Sequence, residues 1–253
     1  TTVTYTVTDV NGNSDTTSFV ITVTDDELPL ITGIPANIVA STAGGLCTAG
    51  ASWVAPAAFD NCGIATLSAD ATSGDAFSVG VNTVTFTATD VNGNVTTGSF
   101  TVTVVDGDAP VISGVPINLT TTADLGVCGA TVTWAAPTAT DACGVASLSS
   151  SHPNGSVFLV GTTVVTFTAS DGANSSNASF SVTVTDNEDP TISGLPGNLV
   201  VPITTGLCSA TVTWTAPIAL DNCQIASFTS DSTSGSSFPV GTTPVIYVAT
   251  DTA

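Results

Sequence analysis

The side chains able to do chemistry in this chain are six cysteines, twenty acids and one histidine; its 253 residues include no lysine, arginine or methionine. The cysteines fall in a motif that occurs three times. Each copy has a Cys, a Trp six residues on, a Pro three later, an Asp four after that, and then a second Cys. The sets are Cys47, Trp53, Pro56, Asp60, Cys62; Cys128, Trp134, Pro137, Asp141, Cys143; and Cys208, Trp214, Pro217, Asp221, Cys223. Paired within each copy, as Cys47–Cys62, Cys128–Cys143 and Cys208–Cys223, the cysteines would close loops of about 16 residues. In the loop-entropy treatment each such loop contributes about 3 kcal/mol. Zinc is the competing use of the thiols, but it needs four ligands per site, and each copy offers two cysteines. Disulfides imply an oxidising, extracellular setting.

The charge is the second chemical feature. All charged side chains are acidic, giving a formal net charge of -20. Nucleic-acid binding needs Lys and Arg to displace phosphate counterions, so that function is excluded. Ion pairs between side chains and lysine or arginine are equally impossible. The acids must be solvated, hydrogen-bonded or bound to cations. Three clusters stand out: Asp25, Asp26 and Glu27; Asp106 and Asp108; Asp186, Glu188 and Asp189. Their hard oxygens suit calcium. These clusters are better candidates than hairpin turns such as 9–15, because the corresponding turn at Asp171-Gly172-Ala173-Asn174 has lost the pattern. The bland alternative is solvated turn residues.

The remaining polar candidates are weaker. Asn-x-Ser/Thr sequons at Asn94, Asn118, Asn154, Asn174 and Asn177 read as glycan acceptors. Thr16, Ser232 and Thr252 follow aspartate, as in a surface-glycosylation signal of hydroxyl-linked type. His152 sits in a Ser/Gly loop where the other copies carry Ala71 and Ser232, and reads as a surface loop residue. A catalytic histidine needs an orienting acid and a nucleophile in place. The tryptophans could stack sugars, yet Trp134 alternates in phase with Val132, which marks a core residue near a disulfide.

The elements that position these groups are strands. The copies start 81 and then 80 residues apart, so one architecture repeats along the chain. Thr2–Asp9 alternates, with Val3, Tyr5 and Val7 on one face and threonines on the other. Asn11-Gly12 turns the chain into a second strand carrying Phe19, Ile21 and Val23. The hairpin recurs at 83–104 and 164–184, each time followed by one acidic cluster and a proline. Such five-residue, proline-stiffened junctions leave neighbouring domains little freedom. No segment has helical periodicity, and no run of about 18 apolar residues could span a membrane as a helix. No leader segment is present; one is expected upstream or already removed, because the first residue falls inside a repeat.

About seven short antiparallel strands per repeat argue an all-β fold of tandem immunoglobulin-like β-sandwiches, end to end. The expected divisions are 1–24, the C-terminal hairpin of a preceding or partner repeat; 25–105 and 106–185, complete sandwiches; and 186–253, a sandwich without its last strand. The pattern Cys…Trp-x-x-Pro…Asp-Asn-Cys, with Ser-Gly-x-x-Phe-x-Val-Gly and Thr-x-Asp-x-x-Gly-Asn, resembles the hyalin repeat (HYR domain) along the whole chain. That resemblance implies an extracellular module used in tandem for adhesion or structure rather than catalysis.

The resulting expectation is a structural or adhesive segment of a surface fibre or filament, and not an enzyme. The alternative is a carbohydrate- or protein-binding accessory module of a larger secreted enzyme or adhesin. Two arrangements of the ends stay open. The chain could be part of a longer repetitive protein, as the duplicated strand at 2–9 and 243–251 favours. Otherwise Phe19, Ile21 and Val23 of one subunit complete residues 186–253 of the next by strand addition.

Overall fold

The computed structural model describes residues 1–203 and 205–252, and among these it is all strand, turn and loop. Two compact units are present, Thr1–Asp108 and Ala109–Ala253. The first holds the N-terminal hairpin and repeat 1; the second holds repeats 2 and 3.

Each complete repeat is built on one long hairpin. In repeat 1, Gly80–Asp90 pairs antiparallel with Val95–Val105, in a register that sets Val84 opposite Phe100 and Asn82 opposite Val102. Side chains alternate across a strand, so Val84, Phe86 and Ala88 turn inward together with Phe100, Val102 and Val104, all 4 % exposed or less. Threonines take the other face, where β-branching suits the pleat and the hydroxyl meets water. Ile64–Ala69 extends this sheet on one side and Ile38–Ser41 joins the other side in parallel, giving four strands. A second layer is formed by two short pairs, Leu30–Thr32 with Ala57–Phe59 and Thr48–Gly50 with Ala76–Ser78. Repeat 2 reproduces both layers, with Val165, Phe167, Phe180, Val182 and Val184 as its core.

The tryptophans belong to these cores. Trp53 meets Phe100 edge to face with ring centroids 5.1 Å apart, and Trp134 meets Phe180 at 5.3 Å. Such geometry directs ring edges at ring faces and adds about 1 kcal/mol to area burial. His152 also lies against a core ring, Phe158, at 5.3 Å, with its Nδ1 3.0 Å from the Ser151 hydroxyl. It is therefore half-buried packing rather than a free surface loop residue.

Repeat 3 has a smaller main sheet, Ile225–Ser230 with Tyr247–Asp251. The described residues of 199–203, counterpart of Ile38–Ser41, form no ladder. A groove of about 600 Å³ opens here, lined among others by Leu195, Leu199, Val201, Trp214, Phe238 and Tyr247. Trp214 uses its indole N–H on the Tyr247 hydroxyl, 2.7 Å away. The N-terminal hairpin, Thr2–Thr8 with Ser14–Val20, is the mirror case. Phe19 stacks on Tyr5 but stays 49 % exposed, with Ile21 47 % and Val23 90 % exposed.

Candidate functional site

The site with chemical content is the junction between repeats, where the acidic clusters, the Asp-x-Cys turns and the hairpin turns meet. The Asp-x-Cys turn forms because the aspartate accepts backbone N–H groups just ahead of it. Asp60 Oδ1 takes the N–H of Cys62 at 2.8 Å and of Gly63 at 3.2 Å, and Asp221 and Asp141 hold Cys223 and Cys143 in the same way. The hairpin turns use the same device. Asp90 Oδ1 accepts the N–H groups of Asn92 and Asn94, and its Oδ2 accepts the Asn94 side chain at 2.7 Å. Gly93 supplies the positive φ, 96°, that closes this turn.

These bonds set the acidities. Burial of Asp90 would raise its pKa, but the Asn94 side chain and the N–H groups of Asn94, Asn92 and Gly93 outweigh it and hold the carboxyl below its ordinary value. Asp171 is lowered by the Asn174 N–H above all, Asp9 by the Asn13 side chain, and Asp75 by the Thr72 N–H and hydroxyl. The Cys62 thiol moves the other way. Its hydrogen bond to Asp25 raises it most, followed by desolvation and the charges of Asp25, Asp60 and Asp90.

The junction acids divide by position. Asp25 reaches the hairpin turn, its Oδ2 accepting from Asn92 and its carbonyl from Asn94. Carboxylate oxygens of Asp186, Asp221 and Asp251 lie within 4.8 Å of one another, as do those of Asp25 and Asp60 with the Cys62 sulfur. Asp221 Oδ2, Asn222 Oδ1 and Asp171 Oδ2 are buried without a hydrogen-bond partner. Oxygen-rich groups with uncompensated buried oxygens fit a hard cation such as calcium; the Cys62 sulfur does not. Asp60, Asp221 and Asp251 were missed when only the clusters ahead of the prolines were considered. Their signal was available, since each recurs at the 81- and 80-residue period.

The acid at the third position of each cluster does something else. Asp108 accepts the Gly45 N–H at 3.0 Å and Glu188 accepts the Gly126 N–H at 2.8 Å, while Glu27 accepts from the Asn61 side chain at 2.7 Å. Asp106 accepts from the Thr42 hydroxyl at 3.1 Å. Asp26 and Asp189 stand exposed on the rim.

The cysteine pairing differs from the sequence-based expectation. Cys128 is bonded to Cys223, 95 residues away in the next repeat, and not to Cys143. Cys47 and Cys143 are also held in disulfides, whereas Cys62 and Cys208 are exposed free thiols. Extended structure is the reason. Between Cys128 and Cys143 run the strands Gly129–Thr131 and Thr138–Thr140. The first follows a loop whose Ala123 bonds the Thr185 carbonyl, at the end of the repeat; the second pairs with Val111–Ser113, at its start. A disulfide needs Cα atoms within about 7 Å. The two cysteines of one repeat therefore lie at opposite ends of it, and Cys128 meets the next repeat instead.

The sequon asparagines also have work. Asn154 clamps Trp134, accepting its N–H at 2.9 Å and donating to its carbonyl at 2.8 Å. Asn94 gives its amide to Asp25 and Asp90, Asn118 accepts the Ser181 N–H, and Asn177 accepts from Thr168. Asn118, Asn177 and Thr16 are exposed, while Asn174 and Ser232 are partly buried.

A tandem series of all-β repeats, with carboxylate–amide bonds at the acidic clusters and a disulfide joining repeats 2 and 3, defines the class of this protein. The HYR domain matches it three times, at 24–104, 105–184 and 185–253, and the chain belongs to that family. It is similar to Hyalin of Lytechinus variegatus, 38% identical over 262 residues, covering 99% of this chain and 49% of that protein. It is likewise similar to Hyalin of Strongylocentrotus purpuratus, 36% identical over 264 residues, covering 99% of this chain and 22% of that protein. The chain thus spans half or less of the curated relatives it matches. Among solved structures, protocadherin gammaB7 EC3-6 overlaps 98% of the chain and 83% of its own, at 15% identity and a TM-score of 0.33, a loose overlap. Among the described residues no helix is long and apolar enough to cross a membrane.

Proposed function

We propose that this chain is a structural or adhesive segment of an extracellular fibre, a non-catalytic series of repeats that transmits force along its length. The observation that carries this reading is the Cys128–Cys223 bond, which ties repeat 2 to repeat 3 across the junction. A bond inside one repeat would stabilise that repeat alone. A bond between repeats resists their separation, which is useful where the chain is pulled from its ends. Disulfides and family membership favour an oxidising exterior. Electron microscopy of native material tests the reading: filaments are expected, and isolated short rods would sink it.

Two finer features belong to the same proposal. Calcium at Asp186, Asp221 and Asp251, and at Asp25 and Asp60, would offset the repulsion of a chain without basic residues. A ligand at about 100 times its Kd adds about 2.7 kcal/mol, so calcium should raise the melting temperature and a chelator should reverse it; no shift would remove the cation from the scheme. Strand addition is the second. Phe19, Ile21 and Val23 are the counterparts of Phe100, Val102 and Val104, which fill in repeat 1 the slot that is an open groove in repeat 3. Residues 1–24 of one copy would then complete residues 186–253 of another. Glycans on Asn118, Asn177 or Thr16 would give native material a mass above 24.9 kDa.

A further inference from the structure

The junction inside the second unit shows how one repeat receives the one before it. Three contacts from the loop 124–128 are made to repeat 3. The Gly126 N–H donates to Glu188 Oε1 at 2.8 Å, the Val127 carbonyl accepts from Asn222 Nδ2 at 3.3 Å, and Cys128 bonds Cys223. Part of the arrangement recurs in the first unit, where the Gly45 N–H donates to Asp108.

Both halves of this clasp occur once more, each unfilled. Gly206, Leu207 and Cys208 are the counterparts of Gly126, Val127 and Cys128. The loop glycines share a left-handed conformation, with φ of 73° at Gly45, 71° at Gly126 and 87° at Gly206. Leu207 is 57 % exposed and Cys208 is a free, exposed thiol. The receiving half is Glu27, Asn61 and Cys62, counterparts of Glu188, Asn222 and Cys223. These three line a cleft of about 570 Å³ together with Val23, Asp25 and Asn92. Cys62 is likewise a free, exposed thiol. In the bond Cys128–Cys223 the first cysteine of one repeat meets the second cysteine of the next. The two free thiols are therefore one of each kind.

We propose that Cys208 of one copy forms a disulfide with Cys62 of a second copy, head to tail, with Glu27 receiving the Gly206 N–H and Asn61 donating to the Leu207 carbonyl. The inference rests on the fibre reading above and deepens it by naming the partner surface. A heterologous contact of this kind leaves a free cysteine at each end of every product, so it propagates. Each bond removes two protons and two electrons from two thiols. A small-molecule disulfide accepts them, its S–S bond breaking to give two thiols.

The test uses purified full chain, with oxidised glutathione as oxidant, read on non-reducing gels and by peptide mapping. Wild type should form a ladder whose cross-linked peptides join Cys62 to Cys208. C62S alone and C208S alone should stay monomeric, while their equal mixture should stop at a heterodimer. Docking should favour the mixed bond over symmetric ones by about tenfold or more. Both thiols are exposed and free, so neither variant should affect folding. Monomers after oxidation, Cys62–Cys62 or Cys208–Cys208 dimers in comparable yield, or a bond within one chain would overturn the proposal. Filaments that assemble equally well from C62S in dithiothreitol would keep the fibre reading and sink the covalent clasp.

Discussion

Removing the bond between repeats 2 and 3 separates the two possible pairings by magnitude. Cys128 and Cys223 are 95 residues apart, and closing a loop of about 100 residues is worth about 4.7 kcal/mol at 25 °C in the loop-entropy treatment. For a unit of roughly 150 residues, 1 kcal/mol moves the melting temperature by about 2–4 °C. The variant C128S/C223S should therefore melt roughly 10–20 °C below wild type in calorimetry, after the exposed thiols are blocked with iodoacetamide to prevent exchange. C208S should move the transition by no more than about 0.5 kcal/mol, the usual range for an exposed position. Pairing within repeats makes the opposite forecast. There, C208S would break a loop of about 16 residues and cost about 3 kcal/mol, the same as C223S. Equal losses from C208S and C223S, or a peptide joining Cys208 to Cys223, would refute the pairing between repeats.

Other consequences follow from the cores and the acids. Phe180→Ala should cost about 3–5 kcal/mol of unfolding free energy, because a fully buried ring leaves a cavity. The counterpart Phe19→Ala should cost far less in the isolated chain yet slow assembly, and unchanged assembly kinetics would remove strand addition. Asp90 has a folded pKa below its unfolded value of about 3.9, so its stabilisation is present above about pH 4 and lost as pH falls through the folded pKa. The melting difference between wild type and D90N should accordingly be full at pH 7 and fade as pH falls through the lowered folded pKa; a difference independent of pH would show that charge is not involved. Raising salt from 0.01 to 0.1 M shortens the screening length from about 30 to about 10 Å. With a formal charge of -20 and no lysine or arginine, this should raise the melting temperature, and a fall would contradict the repulsion argument.

Much of the fold was legible because the strands alternate cleanly. Phe86 and Phe100, or Phe167 and Phe180, could be assigned inward positions from period two alone, and the long hairpins carry their own turn chemistry at Asp90-Val91-Asn92-Gly93. The short strands were harder. Ile38–Ser41 joins its sheet in parallel with Val102–Val105, more than 60 residues away, and a four-residue apolar stretch says nothing about its partner. Its counterpart in repeat 3, 199–203, has similar residues and forms no ladder among the described residues. Pairing, unlike propensity, is a property of the neighbour.

The cysteines show the same limit more sharply. Proximity in sequence suggested a bond within each repeat, yet the strands Gly129–Thr131 and Thr138–Thr140 between the two cysteines of repeat 2 pair with different partners, Val157–Leu159 and Val111–Ser113. The junction acids follow a related logic. A chain without lysine or arginine must satisfy its junction carboxylates with neutral donors, and it does so with asparagine: Asn92 to Asp25, Asn94 to Asp90, Asn61 to Glu27 and Asn222 to Asp186. Backbone N–H groups of Gly45 and Gly126 complete the set. Amide donors bring direction without charge, so each junction keeps its negative potential. That leaves two ways to hold like-charged repeats together, a covalent bond and a bound cation. The disulfide between repeats 2 and 3 supplies the first, and the oxygens of Asp186, Asp221 and Asp251 are arranged for the second.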